Sequence, residues 1–342
     1  MIWHPSAIAV FSGDLLGLLL LSMSALTAFY IILHWSPADA NRGQLKLERN
    51  AEAAAIRTRW ASVLFAFATL VFLIGITHWF VDLVPGAMCG TGVIQSMGAE
   101  AAPALLFRGL LIWLLLLWNV FEKLNQSRPD QPISRVNARI LLCATPVALL
   151  AAVTTYQSLR QVDLYRPVDC CAVVYDQFRT IEDAHQTAGI SDAAWIIIFT
   201  ALSVLLAVTV LRTRRHPTAK RTGLAAVVAV FWIPAAAITL VNVLAAYHYQ
   251  VLQHQCPWCL FLPEHRRVGY LLFGALAVIA FESSVIWAMP KISSRFRVLA
   301  EATIQRQRTA AGRVLLALAV FLILAGLPPI LWRLRYGVWM GG

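Results

Sequence analysis

Eight stretches of about 20 mostly apolar residues, each long enough to carry a helix across about 30 Å of hydrocarbon, recur from end to end of the chain. They lie near residues 8 to 33, 61 to 83, 104 to 121, 140 to 159, 193 to 211, 223 to 247, 268 to 289 and 314 to 332. Between them no polar stretch is long enough to build a separate domain, so one transmembrane domain over residues 1–342 is expected. The fold class is therefore all-α, a polytopic helical membrane protein of about eight transmembrane helices. Composition agrees, because 59% of the residues are hydrophobic and 13% are charged, about half the charge of an ordinary soluble domain. The lipid bilayer is the implied solvent. The stretch Met1 to Ser6 contains no lysine or arginine, so it lacks the basic start of a cleaved secretory signal, and the first helix is read as retained.

A formal net charge of +11 could suggest nucleic acid. The basic residues instead sit in short blocks between apolar spans, which excludes a nucleic-acid surface and writes a membrane topology. The blocks run from Arg42 to Arg59, Lys123 to Arg139, Arg212 to Arg221 and Lys291 to Arg313, and together hold 20 of the 28 lysines and arginines. All four fall on one side. By the positive-inside rule that side is cytoplasmic, and both termini are outside (N-out and C-out). The outer loops are then roughly 84–103, 160–192 and 248–267.

Five of the six cysteines fall in those outer loops: Cys89 in the first, Cys170 and Cys171 in the second, Cys256 and Cys259 in the third. Cys143, near the inner end of the fourth span, reads as a small buried apolar residue. Five outer cysteines cannot all pair within one chain, so at least one thiol is free, metal-bound or shared with a partner.

The sharpest local signal is His254-Gln255-Cys256-Pro257-Trp258-Cys259. Two cysteines separated by two residues can cycle between dithiol and disulfide, and the spacing commonly lowers the first thiol's pKa. The helix expected from residue 268 starts soon afterwards, so its dipole would further favour a thiolate. The same pair could equally form a static disulfide or hold zinc or copper.

The run Cys-Pro-Trp-Cys-Leu-Phe over 256–261, followed by Arg266, Arg267, Gly269, Tyr270 and Leu-Leu-Phe-Gly over 271–274, resembles the bacterial disulfide generators of the DsbB family and their relatives of the vitamin K epoxide reductase family. Those are small helical membrane proteins that pass electrons from a periplasmic protein dithiol to quinone. The resemblance implies that Cys256 and Cys259 adjoin a quinone, that cysteines of another outer loop meet a periplasmic thiol protein, and that the membrane is the bacterial inner membrane. The chain departs from the pattern in two ways. Eight helices exceed the families' four or five, and Pro263 stands where an early arginine after the motif would fall, with Arg266 as its substitute.

Cys170 and Cys171 are adjacent. Neighbouring Cα atoms lie about 3.8 Å apart, below the usual disulfide separation, so a bridge between them would be strained and easily reduced. Either that strain is used in redox work or each thiol pairs elsewhere, with Cys89 or with the Cys256 pair. Cys89 lies in Pro85-Gly86-Ala87-Met88-Cys89-Gly90-Thr91-Gly92, where the glycines permit close approach by another loop or a cofactor.

Ionisable residues inside the apolar spans form a second constellation. His78 and Asp82 are one helical turn apart on the second expected helix, Arg108 starts the third at similar depth, Asp14 lies in the first, and Asn242 and His248 occur late in the sixth. Such groups are costly in lipid unless paired or facing water. An Asp82–Arg108 ion pair beside His78, around one outer-leaflet cavity, is the expectation, while Glu282 in the seventh helix reads as a proton path or as snorkelling. Three functions follow: a thiol–disulfide oxidoreductase linked to quinone or haem; a membrane protein capturing copper, zinc or mercury on thiolates with His78, His248 or His254; or an anchor subunit of a membrane complex with structural disulfides. No nucleotide-binding loop, nucleophile triad or zinc-protease helix appears. A c-type haem attachment is absent because Leu260 follows Cys259.

Overall fold

The computed structural model describes residues 1–36, 41–168, 186–187, 189–251 and 254–340. Among them, eight helices are long and apolar enough to cross a membrane. The chain divides into two compact units, Met1–Val168 and Asp169–Gly342.

The first unit is built from α1 (Pro5–His34), α2 (Arg42–Ile74), a short α3 (Gly90–Ser96), α4 (Ala101–Asn125) and α5 (Ser134–Gln161). Local chemistry sets the starts. His4 accepts the Ser6 N–H ahead of Pro5, and the Asn41 side chain accepts the Gln44 N–H at 2.8 Å, each satisfying an orphan donor of the first turn. Helix α1 packs on α2 and α5, and α4 on α5, around Leu21, Ala28, Phe65, Leu115, Trp118 and Ala148. Small residues let the backbones approach: a Cβ on Gly13 would lie 3.2 Å from that of Ala68, and one on Gly17 would strike the Phe65 ring at 2.9 Å.

Among the described residues, the first element of the second unit is a hairpin pairing Gln186–Thr187 with Ile190–Ser191. It continues through α6 (Asp192–Arg215), α7 (Ala219–Thr239), α8 (Ala245–Tyr249), α9 (Val268–Arg295) and α10 (Ala300–Tyr336). Ser191 and Thr218 cap α6 and α7. Trp232 is fully buried at the centre, its indole N–H donating to Ser203 Oγ at 2.8 Å and its ring edge-on to Phe321. A tryptophan at this depth needs such an acceptor.

Helix boundaries differ from the hydropathy windows in an instructive way. Helix α2 starts at Arg42 instead of 61, and α10 at Ala300 instead of 314, because the helical backbone continues past the hydrocarbon-length segment with its basic residues in place. The second expected span runs the other way at its end. After Ile74 the chain makes a π-turn over Gly75–Trp79, then irregular turns, so residue 82 is not on a helix. A second π-turn, Leu240–Leu244, interrupts the path from α7 to α8.

Candidate functional site

The Cys256–Cys259 segment lies wholly in the second unit and is built by three devices. Helix α8 ends at Gln250, whose left-handed φ of 57° turns the chain back. Tyr249, the last residue of α8, then donates its hydroxyl to the Cys256 carbonyl, and its ring meets His254 and His265 edge-on, each at 4.7 Å. Pro257 starts a 3₁₀ turn over Pro257–Phe261, with the Cys259 N–H directed to the Cys256 carbonyl at 3.4 Å. Three residues per turn eclipse positions i and i+3. The two sulfurs accordingly lie within 4.8 Å of each other, both buried, and both residues are thiols.

This turn precedes the long helix α9 by several residues, so the expected nearness of the helix start to the thiols does not come from sequence adjacency. It comes from folding back. Arg266 and Arg267 both take left-handed backbone, with φ of 56° and 53°, and reverse the chain so that Leu260 lies on the first turn of α9. Gly269 makes the contact possible, because a Cβ there would sit 3.0 Å from the Leu260 carbonyl carbon. Trp258, Phe261, Tyr270 and Phe273 form a half-buried aromatic wall beside the turn, with Phe261 and Phe273 stacked at 5.5 Å. Burial holds the His265 imidazole below the ordinary histidine range, against the pull of Glu264. Its ring N–H meets the His248 carbonyl, and the half-buried His248 ring in turn meets the Leu324 carbonyl. Arg266 is exposed at the start of α9.

Cys89 is buried at the start of α3 in the first unit. The glycines before and after it are used for loop-on-loop approach. Gly86, at φ of 78°, leaves room for the Val168 carbonyl, which would lie 2.4 Å from a Cβ there, and the Val168 N–H donates to the Pro85 carbonyl at 2.9 Å. Val168 stands two residues before Cys170. Cys170 and Cys171 themselves lie outside the described residues, as do any bridges they make.

The intramembrane constellation is rearranged. Arg108 does not pair with Asp82. Its Nη2 meets Asp14 Oδ2 at 2.5 Å, its Nε donates to Thr155 at 2.8 Å, and its guanidinium lies 5.0 Å from the Phe72 ring centre, with arginine and aspartate both buried. Asp82 is exposed beyond the π-turn, and the turn that carries half-buried His78 breaks the helical face the two were expected to share. Glu282 is neither snorkelling nor unpaired, since Arg306 and Arg313 of α10 hold its two oxygens at 2.7 and 2.8 Å. Cys143, expected to be buried, is exposed on α5, where the packed face of that helix carries Leu141 and Ala144 instead. Sequence reasoning did not single out Tyr249 as the brace of Cys256. No pattern marks a tyrosine seven residues upstream of a cysteine pair.

Comparison with protein-family models, with curated proteins and with solved structures finds no match.

Proposed function

We propose that this chain is a membrane thiol–disulfide oxidoreductase in which Cys256 and Cys259 are the redox-active pair. The observation that carries the reading is the placement of two buried thiols within 4.8 Å on a braced turn. A disulfide there needs the two sulfurs to close to about 2.0 Å. Closing it removes two electrons and two protons from the thiols, and a quinone in the adjacent leaflet would supply the acceptor for both. The chain's own residues fit such a ring: the aromatic wall of Trp258, Phe261, Tyr270 and Phe273 gives a flat apolar surface, and the exposed Arg266, between the turn and α9, is the candidate partner for a polar oxygen. Arg108 has no part in this role, since it is committed to Asp14. The electrons enter from a periplasmic thiol protein by way of Cys170, Cys171 or Cys89, through mixed disulfides.

Replacing Cys259 by serine should trap a mixed disulfide from Cys256 to one of those cysteines or to a partner protein, visible by non-reducing mass spectrometry. If the variant traps nothing and keeps full activity in cells, the reading is wrong. Stoichiometric zinc or copper on reduced thiols of the purified protein, without bound quinone, would point instead to soft-metal capture by the same two sulfurs.

This reading places the protein in a bacterial inner membrane with both termini and the cysteine loops outside, as the four basic blocks direct. Alkaline phosphatase fused after the last residue should be active, and a green fluorescent protein fused there should stay dark. The opposite pattern would reverse the orientation and move the thiols to the reducing side.

A further inference from the structure

We propose that the first unit contains a monovalent-cation site at the Glu122–Asn137 contact between α4 and α5. Glu122 is 8% exposed, and its two carboxylate oxygens accept from neutral amides, Gln126 Nε2 and Asn137 Nδ2, each at 2.7 Å. Among the described residues no lysine, arginine or histidine pairs with it. A buried carboxylate held only by uncharged donors has no cation beside it, an arrangement that is costly at this depth. The second observation is independent of the acid. Asn137 is 3% exposed, and with its Nδ2 committed to Glu122 its Oδ1 is buried without a hydrogen-bond partner.

Both side chains line a cavity of about 30 Å³, together with Ser24, Asn125, Gln131 and Ser134. That volume admits an occupant no larger than one or two waters. Of these neighbours, Asn125, Ser24 and Ser134 are already engaged. Asn125 donates to Ser134 Oγ at 3.0 Å and accepts from the Ile133 N–H, while Ser24 donates to the Leu20 carbonyl at 2.9 Å. What the cavity lacks is positive charge facing one carboxylate and one amide oxygen. A water would satisfy the amide oxygen and leave the charge. One small cation satisfies both, and a single carboxylate matches a single charge. The hard oxygen donors and the small volume suit a small, hard cation such as sodium. The last turn of α4, whose carbonyl ends carry partial negative charge, adds to the same preference.

The test uses the full chain in detergent, with thermal unfolding followed in sodium, potassium or choline chloride at one ionic strength. Sodium should raise the midpoint by roughly 3 °C over choline, saturably. Glu122→Gln keeps the shape and an amide contact and should abolish the sodium-dependent shift. Glu122→Asp, which keeps the charge and withdraws it by one methylene from the Asn137 oxygen, should raise the half-saturating sodium concentration by at least about threefold, a shift that a purely structural role would not produce. Equal midpoints in all three salts would overturn the proposal. So would a sodium shift that survives in Glu122→Gln, or an unchanged sodium requirement in Glu122→Asp should the glutamine variant not fold.

Discussion

Replacing Asp14 by alanine should destabilise the first unit by about 3–5 kcal/mol, because it strands the Arg108 guanidinium in an apolar interior. Arginine cannot shed its charge by losing a proton at any ordinary pH, so the loss has no chemical escape. Thr155 and Thr69 remain as acceptors, yet neither carries charge. The double change Asp14→Leu with Arg108→Met removes both ions and fills the space with apolar volume, and should recover most of the loss. Asp82→Ala should shift stability by no more than about 0.5 kcal/mol, since that carboxylate is exposed and away from the pair. Unfolding midpoints of the four proteins in one detergent decide the matter. Asp82→Ala as damaging as Asp14→Ala would contradict the pairing.

The Asp14–Arg108 pair was within reach of the sequence, by a rule other than proximity along the chain. Asp14 stands nine residues past Pro5 and Arg108 seven past Ala101, which at 1.5 Å per residue puts both about 10–14 Å inside their helices. In an alternating bundle α1 and α4 start at the same face. Matching depths therefore picks Asp14, whereas Asp82 stands beyond the end of its helix. The eight spans were legible because lipid demands a long unbroken apolar run. The polar extensions of α2 and α10 were not, because hydropathy reports the solvent around a segment and is silent on whether its backbone stays helical. The cysteine pair was legible as a spacing. Its support was not, because the Leu260–Gly269 contact and the Tyr249 brace join residues that share no periodicity. The Glu122–Asn137 cavity was hidden for a similar reason: an acid and an amide at the ends of two spans look like ordinary interfacial residues until the helices cross.

Glu282→Ala should cost the second unit about 3 kcal/mol, again by orphaning a cation. The two arginines it holds are unequal. Arg306 is 15% exposed at the side chain and Arg313 is 58% exposed, so water can take over the second and not the first. Arg313→Ala should therefore cost at most about 1 kcal/mol, and Arg306→Ala considerably more. High salt should weaken the contribution of Arg313 and leave that of Arg306 nearly intact, because screening acts on the exposed partner. Thermal unfolding at low and high salt reads both differences. A loss from Arg313→Ala as large as that from Glu282→Ala would show that the outer arginine carries the contact.

The close seat of Leu260 on Gly269 makes the cysteine turn part of helix α9 in a mechanical sense. A hinge at that point would have let the thiols ride with the loop, at whatever depth the surrounding water allowed. Fastened to the first turn, they move as the helix moves. A helix whose apolar length differs from the local hydrocarbon thickness adjusts by leaning in the bilayer. A change of lean sweeps the end of a 28-residue rod, and the sulfurs with it, toward or away from the headgroups. In a bilayer, the thickness of the surrounding lipid would then bear on how deep the two cysteines sit, without any change in the bonds that hold them.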